Sequence, residues 1–328
     1  MLAFIIRRLG QALFVLLTVA FFSFAMFKFM GDPLENLLGQ EATNLDRAEL
    51  EERLGLNDPI VVQYVRYLAR ALEGDFGVSY RAGIPVAEVI MQRLPATLEL
   101  AFISGMLAVV FGVLLGIYTA IRRDGFVANL IMTSSLIGVS LPTFLIGVGL
   151  IWAFSVNLGW LPSFGRGDTA PFFGVELAVM TWDGIQSLIL PSITLGLYQM
   201  TLIMRLVRSE MLEVLRTDYI RFARARGLTD RALHFSHALR NTLVPVITIT
   251  GVQLGLIIAF AIVTETVFQW PGVGLLFINA VNFVDIPVMA AYLLLVGIIF
   301  VTINLVVDLL YFVVDPRLRA ERSGSEGP

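Results

Sequence analysis

The chain alternates long apolar runs with polar intervals, and six of the runs can cross a bilayer. A hydrocarbon core about 30 Å thick needs about 20 apolar residues in a helix. The predicted spans are Leu9 to about Met30, Leu98 to Ile121, Phe126 to Val156, Ser187 to Leu206, Leu243 to Phe268 and Val288 to Val314. The third is longer than needed and is interrupted by Pro142. The first follows Arg7-Arg8, is too long for a signal-peptide core and lacks a small-residue cleavage site, so it is read as retained. The expected fold class is an all-α polytopic membrane protein with six transmembrane helices.

The polar intervals divide the chain further. Residues 1–30 hold the N-terminus and first span, 31–95 a long loop, 96–314 the remaining spans, and 315–328 a polar tail. The 31–95 loop is too long for a plain connection and carries helix signals. Asn44 can cap a helix through Leu50 and Leu54. Asp58-Pro59 reads as a cap followed by proline at the first helical position. Val61, Tyr64, Val65, Leu68 and Leu72 then share a face that ends at Gly74. Pro85 opens a third short helix that closes near Pro95. A folded helical element follows, serving as a cap or a docking surface. The interval from Asn157 to Gln186 is rich in Gly, Pro and Phe and reads as irregular.

Charge supplies orientation. Fifteen arginines fall on the N-terminal side of the membrane: Arg7 and Arg8, Arg122 and Arg123, eight between Arg205 and Arg240, and Arg317, Arg319 and Arg322. The other side holds seven, six of them in the long first loop. The excess predicts cytoplasmic N- and C-termini, which puts the 31–95 loop outside the cytoplasm.

Composition then excludes chemistries. The chain is 57% hydrophobic, has 15% charged residues and has no cysteine; its mean hydropathy is +0.81. No disulfide or thiolate site is possible. Lys28, the only lysine, sits between two phenylalanines, so no nucleotide-binding P-loop exists. The middles of the spans carry no ionisable residue, which removes the usual carrier of a proton or sodium relay. Glu265, Asp308 and Lys28 read as helix-end charges. Uphill transport by such a chain calls for an external motor. An autonomous channel or ion-coupled carrier is the competing reading, and a membrane enzyme lacks any nucleophile–base or metal constellation. Ser134, Ser135, Ser140, Gln199, Gln253 and Thr302 are midspan polar residues. Of these Ser140, Gln199 and Gln253 are the pathway candidates, although interhelical bonding is the ordinary role of such groups.

The remaining feature is the basic interval 205–241. Residues 221–226 are helical in pattern and stop at Gly227, a suitable left-handed cap. Thr229 can cap a second helix from Asp230 to about Arg240. Tyr219, Phe222 and Ala223 are placed on one face of the first helix; Leu233, Phe235 and Leu239 supply apolar surface on the second. His234 and His237 lie three apart on a helical face. Contact with anionic headgroups would explain the arginines. It would not explain the small Ala223 and Ala225, the Gly227 stop or the apolar spacing.

This interval resembles the coupling motif of permease subunits of bacterial ATP-binding-cassette importers. Ala223 and Gly227 occupy the motif's Ala and Gly positions and Leu239 its Leu position. Arg221 stands where the general motif has Glu, and Arg240 where it has Pro. Both departures look like the dipeptide/oligopeptide/nickel branch, as do Tyr219-Ile-Arg-Phe-Ala-Arg-Ala-Arg-Gly227 and His237-Ala-Leu-Arg-Asn241. Gly31-Asp-Pro-Leu34, Leu54-Gly-Leu-Asn-Asp-Pro59, Gly74-Asp-Phe-Gly77 with Ser79-Tyr80, Arg93-Leu-Pro-Ala-Thr-Leu-Glu-Leu100 and Val267-Phe-Gln-Trp-Pro-Gly-Val-Gly274 match the branch in order.

The resemblance implies a non-catalytic subunit of an importer in the bacterial inner membrane. Its partners would be a second, similar permease, two ATPase subunits that bind ATP and Mg, and an extracytoplasmic solute-binding protein; nucleic acid is not among them. The ATPase-facing set would be Asp218, Tyr219, Arg221, Phe222, Ala223, Arg224, Ala225, Arg226, Gly227, His237, Leu239, Arg240 and Asn241. No cofactor or metal is implied in this chain. The branch carries di- and oligopeptides, glutathione and nickel chelates, and a peptide is the expected solute.

Overall fold

The computed structural model describes residues 2–29 and 58–314. The Asn44 helix, the 31–34 and most of the 54–59 motif, and the 315–328 tail lie outside the described residues. The order is α1 (Leu2–Phe29), α2 (Ile60–Leu72), α3 (Val86–Ile121), α4 (Phe126–Ser140), α5 (Thr143–Leu150), a π-helical stretch (Ile151–Asn157), β1 (Ala170–Phe172), β2 (Val175–Leu177), α6 (Trp182–Val214), α7 (Asp218–Ala225), a second π-helical stretch (Ala232–Ala238), α8 (Leu239–Phe268), α9 (Val273–Asn282) and α10 (Ile286–Val314). Four described helices are each long and apolar enough to cross a membrane, and six spans result if each of two bent pairs counts as one.

The bent pairs have local causes. α4 and the α5 segment meet at 113° around Leu141-Pro142. Proline disfavours the helical conformation of the residue before it, and Leu141 is extended, with ψ 139°. The break between α8 and α9 follows Phe268, where Gln269 takes a left-handed conformation, with φ 49°.

Two compact units emerge. The first comprises Met1–Thr97 and Pro271–Val301. Its core gathers Val86 and Ile90 of α3, Val273 and Ala280 of α9, and Val288, Met289, Ala291 and Tyr292 of α10. α1 docks through Ser23, which donates to the Ala290 carbonyl at 2.7 Å and shares a 2.6 Å bond with the Tyr67 hydroxyl. Burial pushes the Tyr67 phenol up from its ordinary value, so it stays neutral. Lys28 donates to Gln63 at 3.1 Å, consistent with its reading as a helix-end charge. The Asp285 carboxylate accepts from the Ser79 hydroxyl and from the backbone N–H groups of Tyr80 and Arg81, fixing the loop after Gly77.

Two expectations change in this unit. No short helix closes near Pro95: Val86–Ile121 is one 36-residue helix with Pro95 inside it. Proline costs about 3 kcal/mol in a helix interior, and apolar residues buried on both sides of it, Val86 and Ile90 before, Ala96 and Leu100 after, hold the helix together. The predicted apolar face of α2 is also split. Val61, Val65 and Leu72 are exposed, whereas Tyr64 of that face is half-buried and docks on α1 together with Tyr67, and Leu68 is half-buried. Its end is as expected, with Gly74 at φ 78° and Asp75 N–H bonded to the Arg70 carbonyl.

The second unit comprises Leu98–Trp270 and Thr302–Pro328. Glycines set its helix spacing. A Cβ on Gly112 or Gly116 of α3 would stand 2.9 Å from Ile203 or 2.6 Å from Val207 of α6, so close approach is built into those positions. A Cβ on Gly251 would stand 2.4 Å from Val307. α6 has 33 residues, about 50 Å of helix, and continues past the predicted end of the fourth span. Arg205 and Arg208 are therefore helical, and Arg205 donates to Ser135 of α4 at 3.4 Å. Glu265, read from the sequence as an interfacial charge, is fully buried.

The 158–181 interval is irregular up to residue 169, as its Gly, Pro and Phe content predicts, and regular beyond it. Ala170 pairs with Leu177 and Phe172 with Val175 in a two-stranded antiparallel hairpin. Arg166 holds it down. Its guanidinium donates to Glu99 at 2.6 and 3.1 Å and to the Glu176 carbonyl at 2.7 Å, and lies 5.9 Å from the centre of the buried Trp270 ring. The other Glu99 oxygen accepts the Val179 N–H at 2.8 Å.

A capped helix between two spans

α7 owes its shape to what stands at its ends. Thr217 precedes it, returning its hydroxyl to the Val214 carbonyl at 2.6 Å and accepting the Arg221 N–H on its own carbonyl at 3.2 Å. The helix closes with the bonds of a Schellman motif: Gly227 N–H to Arg224 O at 3.0 Å, Leu228 N–H to Ala223 O at 3.3 Å. Gly227 takes φ 87°, a conformation that suits glycine, in open space. Thr229 then caps the next helix, its hydroxyl accepting from the Ala232 N–H at 3.4 Å. Both caps stand where the sequence placed them.

The faces of α7 differ from expectation. Ile220 is buried to 1% exposure and Ala223 packs beside it, while Tyr219 and Phe222 are 42% and 65% exposed. Spacing alone could not choose between the two apolar stripes, because Tyr and Phe score as core residues too. Ile220 enters a cluster with Ala108, Ile117 and Ala120 of α3, Ile203, Val207 and Met211 of α6, and Leu233, Ala238 and Val246 beyond the cap. Ile220 thus ties α7 into a core shared with α3, α6 and the helix that follows the cap.

The second helix does not end near Arg240. It runs from Asp230 through a π-helical stretch into α8 without a break. His234 and His237 lie in that stretch; Leu239 is half-buried and Phe235 exposed. Tyr219 ties the two arms, donating to the His237 carbonyl at 3.3 Å and accepting from the Asn241 amide at 2.5 Å.

The outer face is charged and wet. Asp218, Arg221, Phe222, Arg224, Ala225, Arg226, Gly227, Arg240 and Asn241 are all exposed. Arg221 meets Asp218 at 3.2 Å and Arg224 meets Asp230 at 3.7 Å, all four side chains at least 60% exposed. Such pairs contribute little to stability, which leaves their guanidinium groups available to a partner. The pathway candidates lie elsewhere. Ser140 is exposed at the end of α4. Gln199 is 3% exposed on α6, and its side-chain oxygen, like that of Gln253 on α8, has no hydrogen-bond partner among the described residues.

The chain as a whole has relatives. Residues 1–101 match the N-terminal family described as a binding-protein-dependent transport system membrane component. Residues 112–320 match the family described as the binding-protein-dependent transport system inner membrane component. The chain belongs to this family. The permease is 41% identical over 332 residues to the dipeptide transport system permease protein DppB of Alkalihalophilus pseudofirmus, covering 97% of this chain and 100% of that one. It is 40% identical over 336 residues to the di/tripeptide transport system permease protein DppB of Pseudomonas aeruginosa, covering 98% and 100%. A chain of the inward-facing MetNI methionine ABC transporter superposes with a TM-score of 0.55 at 20% identity, over 69% of the permease and 96% of that chain, and supports the fold. The permease is accordingly a non-catalytic, multi-pass inner-membrane component of a transport system that works with a binding protein.

Proposed function

We propose that this chain is one of two permease subunits of an ATP-driven importer of di- and oligopeptides. A second, similar permease supplies the other half of the pathway. Two ATPase subunits bind the cytoplasmic face, and an extracytoplasmic binding protein delivers the solute. The relatives' names, dipeptide and di/tripeptide transport permeases, support the choice of solute. The arginine distribution supports six spans with both termini cytoplasmic and the 31–95 loop outside.

The observation that carries the reading is α7: short, stopped at both ends, docked by Ile220 and exposed on the face that bears Arg221, Phe222 and Arg226. A helix of this kind enters a groove on another protein and moves with it. Asp218 to Gly227 forms the inserted element, and His237, Leu239, Arg240 and Asn241 back it. The arginines orient it against acidic groups of the ATPase, which favours register and association rate more than affinity. Closure of the ATPase pair displaces α7, and the spans rock with it. Ser140, Gln199 and Gln253 line the route the solute takes; for the two glutamines, an unpaired buried oxygen is the supporting observation.

Gly227→Val tests the reading. A β-branched residue at φ 87° breaks the cap without disturbing any packed neighbour. The variant is expected to reach the membrane and assemble, and to lose solute-stimulated ATP hydrolysis in the reconstituted complex. Unchanged stimulation sinks the proposal, as does solute flux through this chain alone in liposomes without ATP.

A further inference from the structure

The β1–β2 hairpin carries two costs that nothing else among the described residues repays. Its loop has two residues, Phe173 and Gly174, with φ 48° and 82°. Two-residue hairpin loops with both φ values positive take Asn-Gly or Asp-Gly, because a bulky side chain is strained there. Phenylalanine occupies the strained position. It is also 93% exposed, with Phe172 at 47% stacked edge-on at 4.7 Å. The tip, Pro171 to Val175, bears no charge.

The hairpin is also rigidly mounted. Arg166 grips the Glu176 carbonyl from its buried seat on Glu99. The Thr169 hydroxyl donates to the Glu176 carboxylate at 2.8 Å, and the Asp168 N–H to Asp183 at 2.9 Å. A strained, exposed aromatic pair on a fixed base is an inserted element that lacks its surroundings.

Position identifies those surroundings. The interval begins where the Ile151–Asn157 stretch ends and finishes where α6 starts, so both of its ends are ends of membrane spans. Trp152, Trp160 and Trp182 lie at these ends and are 64%, 64% and 73% exposed. Exposed tryptophan at a span end marks the boundary between water and hydrocarbon. Phe164, within the interval, is 61% exposed. The uncharged tip belongs to the same interval, which holds exposed aromatic residues from Trp160 to Phe173. From this we infer that Phe172 and Phe173 form an interfacial membrane anchor, seated among the headgroups and upper acyl chains of phospholipid. No basic residue stands at the tip, so zwitterionic headgroups suffice.

The absence of cysteine makes the test clean. Phe173→Cys, and separately Phe172→Cys on the unstrained strand, are labelled with an environment-sensitive fluorophore in the assembled transporter in phosphatidylcholine nanodiscs. Asp124→Cys, at a side chain 88% exposed in the turn after α3, is the aqueous reference. At both tip positions, lipids spin-labelled near the headgroup are expected to quench roughly threefold more than aqueous iodide, and the reverse at 124. Preferential quenching by iodide at the tip overturns the inference. So does protection from both quenchers, which would mean that another polypeptide covers the tip. The arms do not involve ATP hydrolysis, so the result stands apart from the outcome at Gly227.

Discussion

Two intervals connect neighbouring helices of the second unit, and arginine has opposite uses in them. In 158–181 one arginine is buried to 11% exposure against a glutamate at 3%, and the interval is folded around that pair. In 215–241 the arginines at 221 and 224 keep at least 60% of their side-chain surface in solvent, and a hydrophobic cluster holds the interval together. A desolvated charge must have its partner or the structure fails; a solvated one is free to find a partner elsewhere. The contrast separates an arginine that builds the chain from arginines that stay in solvent.

The sharpest way to break this contrast is Arg166→Met. It leaves the Glu99 carboxylate buried without its counter-charge, and the expected loss is about 3–5 kcal/mol of stability, read from thermal unfolding in detergent. Combining it with Glu99→Leu should recover most of that loss. A loss for the single variant no larger than an exposed arginine shows would erase the distinction. Next comes Ile220→Ala, with an expected cost of about 2–4 kcal/mol. The cost should be local: backbone amides of α7 should exchange faster with deuterium while those of α3 keep their protection. Faster exchange throughout would mean that Ile220 holds the whole unit and not the arm. The smallest change in stability is expected from Arg221→Ala, below about 0.5 kcal/mol, because its ion pair is exposed. Its effect should appear instead as weaker solute-stimulated ATP hydrolysis that falls further as salt rises. A salt-independent response would remove charge from the account of that face.

What could be read from the chain in advance follows the same division. Local chemistry was legible. Gly227 and Gly74 stop their helices as spacing predicts, and Thr229 caps as its position predicts. Tertiary choices were not. Glu99 and Arg166 are 67 residues apart, and Arg166 counted only as one charge in a topological balance. Glu99 and Trp270 both lie in stretches that mark the family, yet nothing in those stretches says that they converge on an arginine. Ile220 lost out to Tyr219 and Phe222 because helical spacing offers several stripes and packing selects among them. Pro95 was read as a terminus because its local cost is visible in sequence and the burial that offsets it is not.

The Tyr219 bond to Asn241 has a mechanical meaning. α7 is joined to α6 by one short turn, to the helix leading into α8 by another, and is braced across by that phenol. On the proposed reading this is a coupler bar pinned between two rocker arms. A force on such a bar cannot turn one arm and leave the other at rest. If the brace is released, as Tyr219→Phe would do while keeping the ring, the bar gains play before either arm responds.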